Sequence, residues 1–448
     1  MAERLSRPTT LAGWLAYLET LHPKAIALGL DRVRAVSVEL DAPLSCPVIT
    51  VTGTNGKGST CAMLESILRC AGYRVGLYTS PHLLRFNERI RICGVEVGDD
   101  DLLRAFHAVE DAREATHGPG GAPVTLTYFE FGTLTAFWLF ARANLDALVL
   151  EVGLGGRLDA VNIVDADVAV LTSVAIDHAD YLGPTREDIG REKAGVFRAQ
   201  RPAICAEPDP PHSVLAAAKE QGATLLLIGR DFGFVNDGTQ WKYRGPEGER
   251  FGLPFPALRG AYQLANAAAA LAALGQLRLA LPVSGGAVRE GLLTVDLPGR
   301  FQVLPGRPTI VLDVAHNPHA ARVLAGELGA MGYHPETIAV FGVFADKDID
   351  GIVAAMKARV DRWLIATLPG PRGVAVDALR AKIERAGVDA AAIRTFPDVA
   401  AAFTAARETA NEADRIAVFG SFLTVAAALE SERARRRGDS ETGAQRHG

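Results

Sequence analysis

The sequence has few cysteines and no long apolar run, and each shortage excludes a class of protein. Its five cysteines among 448 residues form no Cys-x-x-Cys pair, so neither a disulfide framework nor a zinc site is expected. A reducing, cytoplasmic location is predicted instead. No apolar stretch approaches the roughly 20 residues needed to cross a bilayer, and the first residues lack the apolar core of a secretory signal. We therefore expect a soluble protein without a membrane partner.

Excess charge of one sign is also missing. The chain carries 47 basic and 52 acidic residues, a net charge of −5, so it offers no general field for nucleic acid and any anion site must be local. Because one hydrophobic core seldom serves more than about 250–300 residues, two domains are expected. No heptad or apolar edge indicates self-association, so a monomer is predicted.

What the sequence does contain is a regular alternation of short β-branched runs with alanine-rich helical stretches, which predicts an α/β fold. The apolar strands are nearly continuous, as in a parallel sheet covered by helices on both faces. Strands are predicted at 47–51, 74–79, 146–152, 167–174, 309–314, 337–343, 363–367 and 415–419, and a long helix at 260–279.

The Pro298-Gly299 break divides this pattern into two domains. Residues 1–297 are predicted to form an N-terminal P-loop ATPase-like domain with a mostly parallel sheet. Residues 298–448 are predicted to form a smaller C-terminal Rossmann-like α/β domain. The polar tail from about residue 432 is expected to be disordered.

A strand, a glycine-dense turn and a helix start follow one another in residues 50–60, TVTGTNGKGST. Glycines let backbone N–H groups approach phosphate, while the helix N-terminus and Lys57 add positive charge. Ser59 is placed for a hydroxyl contact to Mg²⁺. The strict P-loop pattern fails, because Val51 and Gly58 stand where Gly and Ser/Thr are required. A plain glycine-rich turn with a surface lysine is the alternative.

The variant loop GTNGKGST resembles the ATP loop of the Mur ligase superfamily. Further motifs between about residues 12 and 430 are similar to those of the folylpolyglutamate synthase family, especially its bifunctional dihydrofolate synthase members. These motifs lie at 80–92, 127–132, 151–162, 177–178, 191–198, 298–302 and 313–318. The resemblance implies that ATP converts a folate carboxylate to an acyl phosphate, which the amine of L-glutamate attacks. The implied acceptors are dihydropteroate, giving dihydrofolate, and reduced folates, whose glutamate tail grows by one residue.

The resemblance also implies roles for individual residues. ATP is expected to be bound by Thr54, Asn55, Gly56, Lys57, Gly58, Ser59, Thr60, Asn266, Arg300 and Asp313. Two Mg²⁺ ions are expected, with Ser80, Glu151 and His178 as ligands, and the pterin is expected at His22, Thr127, Phe129, Leu158 and Asp159. Lys57, His178 and Lys193 are the implied catalytic residues, with Lys193 carbamoylated by CO₂ and thereby turned into an anion.

Residue type and spacing alone leave simpler alternatives open. Glu151 ends a predicted parallel strand, where ligand sites occur, yet such glutamates are often only solvated. Lys193 is typical of a surface lysine, and His178 of a structural histidine. Phe129 and Leu158 suit a hydrophobic core equally well.

Other functions are also open. A peptidoglycan Mur ligase would run the same chemistry, but only 52 residues precede Gly53, fewer than a separate UDP-sugar domain of ~100 residues needs. A regulatory nucleotide-binding module would need no separate metal and acceptor residues. A monofunctional folylpolyglutamate synthase is the third alternative. Ala27 and Val161 depart from the family pattern, and Val161 is adjacent to the predicted pterin residues, so the acceptor preference stays open.

Overall fold

The structure is a computed structural model that describes residues 7–118 and 121–444, and the chain divides into two compact units. The first unit contains residues up to 257 together with 263–296. The second contains the short segment 258–262 and the residues from 297 onward. No helix within the described ranges combines the length and the apolar character needed to span a bilayer.

An eight-stranded sheet forms the centre of the first unit. Its strands are β1 (Val48–Thr52), β2 (Val75–Tyr78), β3 (Ile90–Ile92), β4 (Val95–Glu96), β5 (Ala147–Glu151), β6 (Val168–Leu171), β7 (Pro202–Cys205) and β8 (Thr224–Leu227). They are ordered β4-β3-β2-β5-β1-β6-β7-β8; β3 is antiparallel to both of its neighbours, β4 and β2, and all other neighbouring strands are parallel. The predicted α/β fold with a mostly parallel sheet is confirmed.

Helices cover this sheet, and their apolar residues build its core. They are α1 (Leu11–Thr20), α2 (Asp31–Leu40), α3 (Lys57–Cys70), α4 (Asp99–Ala115), α5 (Tyr128–Phe140), α6 (Ala179–Leu182), α7 (Arg186–Ala194), α8 (His212–Gln221), α9 (Gln263–Gln276) and α10 (Gly285–Thr294). The strands β1, β5 and β6 are buried along their whole length, which explains their nearly continuous apolar sequence.

A small antiparallel sheet, which the sequence pattern did not predict, completes the first unit. It consists of β9 (Gly233–Asn236), β10 (Trp241–Gly245) and β11 (Gly248–Leu253), in the order β11-β10-β9. Trp241 and Tyr243 are buried, but most neighbouring positions are polar and exposed. The apolar signal of this segment is therefore too sparse to predict strands.

The second unit has its own six-stranded sheet and its own core. Its elements are β12 (Gln302–Leu304), β13 (Thr309–Leu312), α11 (Pro318–Ala330), β14 (Thr337–Phe341), α12 (Ile349–Met356), β15 (Arg362–Ala366), α13 (Val376–Arg385), β16 (Ile393–Phe396), α14 (Val399–Thr409), β17 (Arg415–Phe419) and α15 (Phe422–Ala444). The order is β12-β13-β17-β14-β15-β16, parallel except for β12.

The C-terminal helix corrects one expectation. Instead of a disordered tail from about residue 432, α15 continues to Ala444. Glu432 is buried, and its carboxylate accepts hydrogen bonds from Arg407 (3.0 Å), Arg435 (2.9 Å) and Arg436 (2.8 Å). The arginine-rich sequence that suggested a solvated end thus neutralises a buried carboxylate and holds the helix against α14.

Close backbone packing joins α3 to α10. A Cβ built on Gly291 would lie 2.6 Å from the Ile67 Cα and 2.8 Å from its backbone N. In addition, Ser66 donates a hydrogen bond to the Gly291 carbonyl at 2.8 Å. Because backbone atoms cannot rotate away, glycine is required at this contact.

We predict that Gly291→Ala lowers the free energy of unfolding by about 1–3 kcal/mol, the usual cost of overpacking. The measurement is thermal unfolding followed by circular dichroism. Gly286→Ala, in the same helix, is the matched control, since the nearest atom to its added Cβ is the Ser284 Oγ at 3.7 Å. Equal melting temperatures for both variants would contradict the role of this contact.

Candidate active site

The turn between β1 and α3 has a backbone that only glycine permits at two positions. Gly53 has φ +149°, and an added Cβ would fall 1.8 Å from the Thr172 Oγ1. Gly56 has φ +89°, and an added Cβ would fall 2.6 Å from the Asn266 Oδ1. Both positions thus require a left-handed backbone and leave no room for a side chain.

The start of α3 provides concentrated positive potential. No side chain caps the helix at Gly56, so its first backbone N–H groups are available to a ligand. Lys57 is the first helical residue, and its Nζ donates to the carbonyls of Gly53 (3.0 Å) and Thr54 (3.2 Å). The ammonium therefore lies over the turn. Helix N–H groups together with a cation form an arrangement that can bind a phosphate group.

The segment after β6 holds this phosphate loop in place. The Thr54 N donates to the Ser173 carbonyl at 2.8 Å, and the Asn55 N donates to the Ser173 Oγ at 3.0 Å. In return the Thr172 Oγ1 donates to the Asn55 carbonyl at 2.7 Å. The Thr54 hydroxyl also bridges the backbone N (3.0 Å) and O (3.1 Å) of Ala175. These bonds explain why β6 ends at Leu171 rather than at the predicted residue 174.

Helix α9 contacts the phosphate loop from another side. Gln263 donates to the Ser59 Oγ at 3.3 Å, and Asn266 donates to the Gln263 Oε1 at 2.9 Å. Both amides are buried. Asn266 was expected near ATP, whereas Gln263 was missed. The available signal was its spacing, since residues three apart share one face of a helix that is otherwise mainly alanine and leucine.

Glu151 ends β5 at the same edge of the sheet as the phosphate loop, because the register pairs it with Val51 of β1. Its side chain is buried, and its Oε2 accepts a hydrogen bond from the Ser80 N at 3.1 Å. His178 lies on the segment that follows β6 and has an unusual backbone, with φ +52°. Its N donates to the Asp177 Oδ1 at 2.9 Å. Glu151 is thus not a solvated strand end.

The donor set suits a divalent cation that arrives with a nucleotide. The described residues contain no group of three or more His, Cys, Asp or Glu side chains that could hold a metal ion by themselves. Glu151 nevertheless offers a carboxylate, and Ser80, whose backbone N bonds to that carboxylate, offers a hydroxyl. Magnesium is normally bound by one or two carboxylates, with water and substrate phosphates completing the shell. The residues therefore fit Mg²⁺ bound together with ATP.

Lys193, near the end of α7, is buried with only 4% of its surface exposed. Burial, helped by repulsion from Lys57, lowers the pKa of its ammonium to about 7, although the attraction of Asp177 and Asp159 acts in the opposite direction. The expectation from spacing alone, a surface lysine, is therefore wrong. Lys193 lies within electrostatic reach of Lys57, and a substantial fraction of its amine is neutral near neutral pH.

The residues assigned to the pterin come from separate segments that meet. Thr127 caps α5 by accepting from the Glu130 N at 3.2 Å. The Phe129 ring lies against the backbone of Gly153, where an added Cβ would be 2.6 Å from the Phe129 Cζ. The Leu158 carbonyl accepts a hydrogen bond from the Gly29 N at 3.2 Å.

His22 is placed differently from the other members of this set. Its Nδ1 lies 2.9 Å from the carbonyl and 3.0 Å from the backbone N of Lys24, so the ring stabilises its own turn. Within the described residues, no hydrogen bond or ring contact joins this imidazole to the other residues assigned to the pterin. Its assignment stays a prediction.

Asp159 is the buried carboxyl of this region. Its Oδ2 accepts from the Leu154 N at 2.9 Å and its Oδ1 from the Val161 N at 3.0 Å. Burial raises the pKa of the carboxyl to about 7, although these hydrogen bonds and the charge of Lys57 act in the opposite direction. Asp159 can thus donate or accept a proton near neutral pH.

Arg300 and Asp313 belong to the second unit. Asp313 follows β13, and its carboxylate accepts from the backbone N of Phe301 and of Ala315, each at 2.8 Å. Burial raises its pKa, while the charge of Arg300 opposes the rise. The Arg300 guanidinium lies 4.9 Å from the centre of the Phe422 ring. Phe422 was missed by the sequence analysis, because no motif links it to Arg300.

Comparison with known proteins agrees with these features. The Mur ligase middle domain matches residues 102–274, and the Mur ligase glutamate ligase domain matches residues 299–422. The dihydrofolate synthase/folylpolyglutamate synthase of Escherichia coli is 47% identical over 96% of this chain and 97% of that protein. The structure of E. coli FolC in complex with DHPP and ADP superposes with a TM-score of 0.89 at 46% identity, covering 96% of this chain and 99% of the other.

A second solved structure bears on the site. It is a bifunctional folylpolyglutamate synthase/dihydrofolate synthase with Mn, AMPPNP and L-glutamate bound, and it superposes with a TM-score of 0.86 at 46% identity over 95% of this chain and all of the other. The chain is thus a Mur-type ligase, the class that forms amide bonds at the expense of ATP. Within that class it belongs to the dihydrofolate synthase/folylpolyglutamate synthase family.

We predict that Lys57→Ala weakens the binding of a non-hydrolysable ATP analogue about 10- to 100-fold, as expected for a lost charged hydrogen bond. The measurement is calorimetric titration with AMPPNP in the presence of Mg²⁺. Lys219→Ala, on the exposed end of α8, is the control and should leave the affinity unchanged. Wild-type affinity in Lys57→Ala would refute the phosphate loop as the nucleotide site.

Proposed function

We propose that this chain is a bifunctional ligase that adds L-glutamate to dihydropteroate and to reduced folates. The γ-phosphoryl group of ATP passes to the acceptor carboxylate, which releases ADP and forms an acyl phosphate. The glutamate amine then attacks the acyl carbon, an amide forms, and the carbon–oxygen bond to phosphate breaks. The family, with 47% identity to the E. coli enzyme along nearly the whole chain, supports this reaction.

The observation that carries the proposal is the clustering of reactive groups at one edge of the first sheet. Lys57, Lys193 and Asp159 interact electrostatically, and Glu151 pairs in register with the strand that enters the phosphate loop. A reaction that joins a triphosphate to a carboxylate requires such concentrated, partly buried charge. A nucleotide switch would need only the loop.

The nucleotide is assigned to the loop residues Thr54, Asn55, Gly56, Lys57, Gly58, Ser59 and Thr60. Backbone N–H groups at the start of α3 bind the phosphates, and Lys57 offsets charge on the transferred group. Asn266 supports the loop through Gly56 and Gln263. Arg300 and Asp313, in the second unit, are proposed to contact the same nucleotide.

Two Mg²⁺ ions are proposed, with Glu151 and Ser80 holding one and His178 contributing to the other. Magnesium supplies charge neutralisation of the phosphates. The protein holds the Glu151 carboxylate in a fixed orientation through the Ser80 N–H. That preorganisation lowers the cost of ordering ligands when the nucleotide binds.

The acceptor is assigned to Thr127, Phe129, Leu158 and Asp159, with His22 at the border. Phe129 offers a flat aromatic ring, which already packs against Gly153. A neutral Asp159 carboxyl can donate one hydrogen bond and accept another, which suits the mixed donor and acceptor edge of a pterin.

We predict that phosphate release from ATP and Mg²⁺ depends on L-glutamate and occurs with dihydropteroate and with tetrahydrofolate. The assay measures phosphate, while mass spectrometry shows products heavier by one glutamate. Release with tetrahydrofolate alone would establish the monofunctional alternative. Release with neither acceptor, despite nucleotide binding, would overturn the folate assignment.

Lys193 is proposed to carry a carbamate. The neutral amine attacks CO₂, one nitrogen–carbon bond forms, and one proton is released to solvent. Burial favours this reaction because it lowers the pKa of the amine to about 7. The product is an anion and suits a neighbourhood that contains Lys57 and the proposed cations.

We predict a pH-dependent carbamate signal in ¹³C NMR of the protein in ¹³C-bicarbonate. Below about pH 7 the amine is protonated and unreactive, so the signal should grow as the pH rises from 6 to 8. Lys193→Ala should lack the signal and lose most turnover, with partial rescue by acetate. Lys219→Ala is the control. A spectrum of the wild type without the signal at pH 8 would exclude the modification.

A further inference from the structure

The peptide of Val174 is held on both sides by charged side chains. Its N–H donates to the Glu207 Oε2 at 2.8 Å, and its carbonyl accepts from the Arg186 Nε at 3.1 Å. Arg186 and Glu207 also pair with each other, with 3.4 Å between the Arg186 Nη2 and the Glu207 Oε1. One ion pair, Arg186–Glu207, thus satisfies both backbone polar groups of Val174 in the segment that follows β6. We call this ion pair the clamp.

This segment connects three parts of the proposed site. Its residues Thr172, Ser173 and Ala175 form the hydrogen bonds that hold the phosphate loop at Thr54 and Asn55. Farther along it leads directly to the proposed metal ligand. The same short segment therefore fixes the position of His178 relative to the phosphate loop.

The backbone conformation of His178 is one that the clamp can stabilise. A residue other than glycine in the left-handed region, here at φ +52°, is unfavourable and persists only where its surroundings impose it. The charged pair on Val174, four residues earlier, restricts the chain that enters this conformation. A loosened segment could relax and move the imidazole.

The same pair reaches the helix of Lys193. Arg186 is the first residue of α7, and Lys193 lies seven residues later, close to two full turns and therefore on the same face. Glu207 follows β7 and anchors the clamp to the sheet. Asp209 adds a further contact, 3.1 Å from the Arg186 Nη1.

We propose that Arg186 and Glu207 are positioning residues that hold the Val174 peptide and thereby fix His178 relative to the phosphate loop. They bind no substrate themselves. The inference rests on the proposed function for the role of His178, but its structural part concerns the ligand-free protein and can be tested separately.

The first test is hydrogen exchange of the ligand-free protein, measured by mass spectrometry. Arg186→Met and Glu207→Ala should speed exchange in peptides covering 172–178 about 10-fold or more, while peptides of β5 stay unchanged. The matched control is Arg201→Met, since Arg201 pairs with Asp167 at 2.9 Å at the opposite ends of β6 and β7. Exchange equal to that of the control would overturn the proposal.

The second test measures Mn²⁺ binding in the presence of AMPPNP, by electron paramagnetic resonance, together with turnover. Arg186→Met should weaken Mn²⁺ binding about 10- to 100-fold, as for other partners that orient a metal ligand. The kcat should fall while the KM for the folate acceptor stays within about twofold, and Arg186→Lys should recover part of the loss. Unchanged Mn²⁺ affinity would overturn the link to His178.

These readouts separate the inference from the proposed function. If wild-type protein released no phosphate with any acceptor, the proposed function would fall, while the exchange data would still judge the clamp. If a variant also sped exchange in β5, the test would compare Glu207→Ala with Glu207→Gln. The glutamine amide oxygen can still accept a hydrogen bond from the Val174 N, whereas alanine cannot. Slow exchange at 172–178 in Glu207→Gln with rapid exchange in Glu207→Ala supports the clamp, and equal rates in the two refute it.

Discussion

The site depends on the alignment of three parallel strands at their carboxyl ends. Because β1 lies between β5 and β6, Val51 pairs with Glu151 on one side and with Val170 on the other. The segments that leave these strands must therefore meet at one edge. Glycine is required at 53 because Thr172, which follows β6, occupies the space of a side chain. The phosphate loop is thus shaped by its neighbours as much as by its own sequence.

Burial at this edge turns ordinary ionisable groups into reactive ones. Desolvation disfavours charge on both Lys193 and Asp159, so the pKa of the ammonium falls and that of the carboxyl rises, each to about 7. A cationic lysine and an anionic aspartate would otherwise dominate the pocket. The same burial thus leaves both groups able to change protonation near neutral pH, and this links the fold directly to the chemistry.

Sequence reasoning succeeded where the signal was local. The glycine-dense turn before Lys57 predicted the strand, turn and helix that the structure shows there, and buried strands such as β5 predicted the parallel sheet. It failed where a property depends on residues distant in the chain. Nothing near Lys193 in sequence reveals its burial, and nothing near Glu432 reveals its contact with Arg407, which lies in α14. The contact of Gln263 with Ser59 spans about two hundred residues and exists only after folding.

The two hydroxyl residues after β6 show how a contact between distant residues overrides a local pattern. Thr172 and Ser173 extend an apolar strand and, on sequence alone, read as its continuation. In the structure their hydroxyl groups bond to the phosphate loop at Asn55, so the segment turns out of the sheet. A polar residue at the carboxyl end of a buried parallel strand therefore has two partners available: the next strand or the next loop. Here the Thr172 hydroxyl contacts both the Thr52 carbonyl of β1 and the Asn55 carbonyl of the loop, and the segment that leads to His178 begins at this contact.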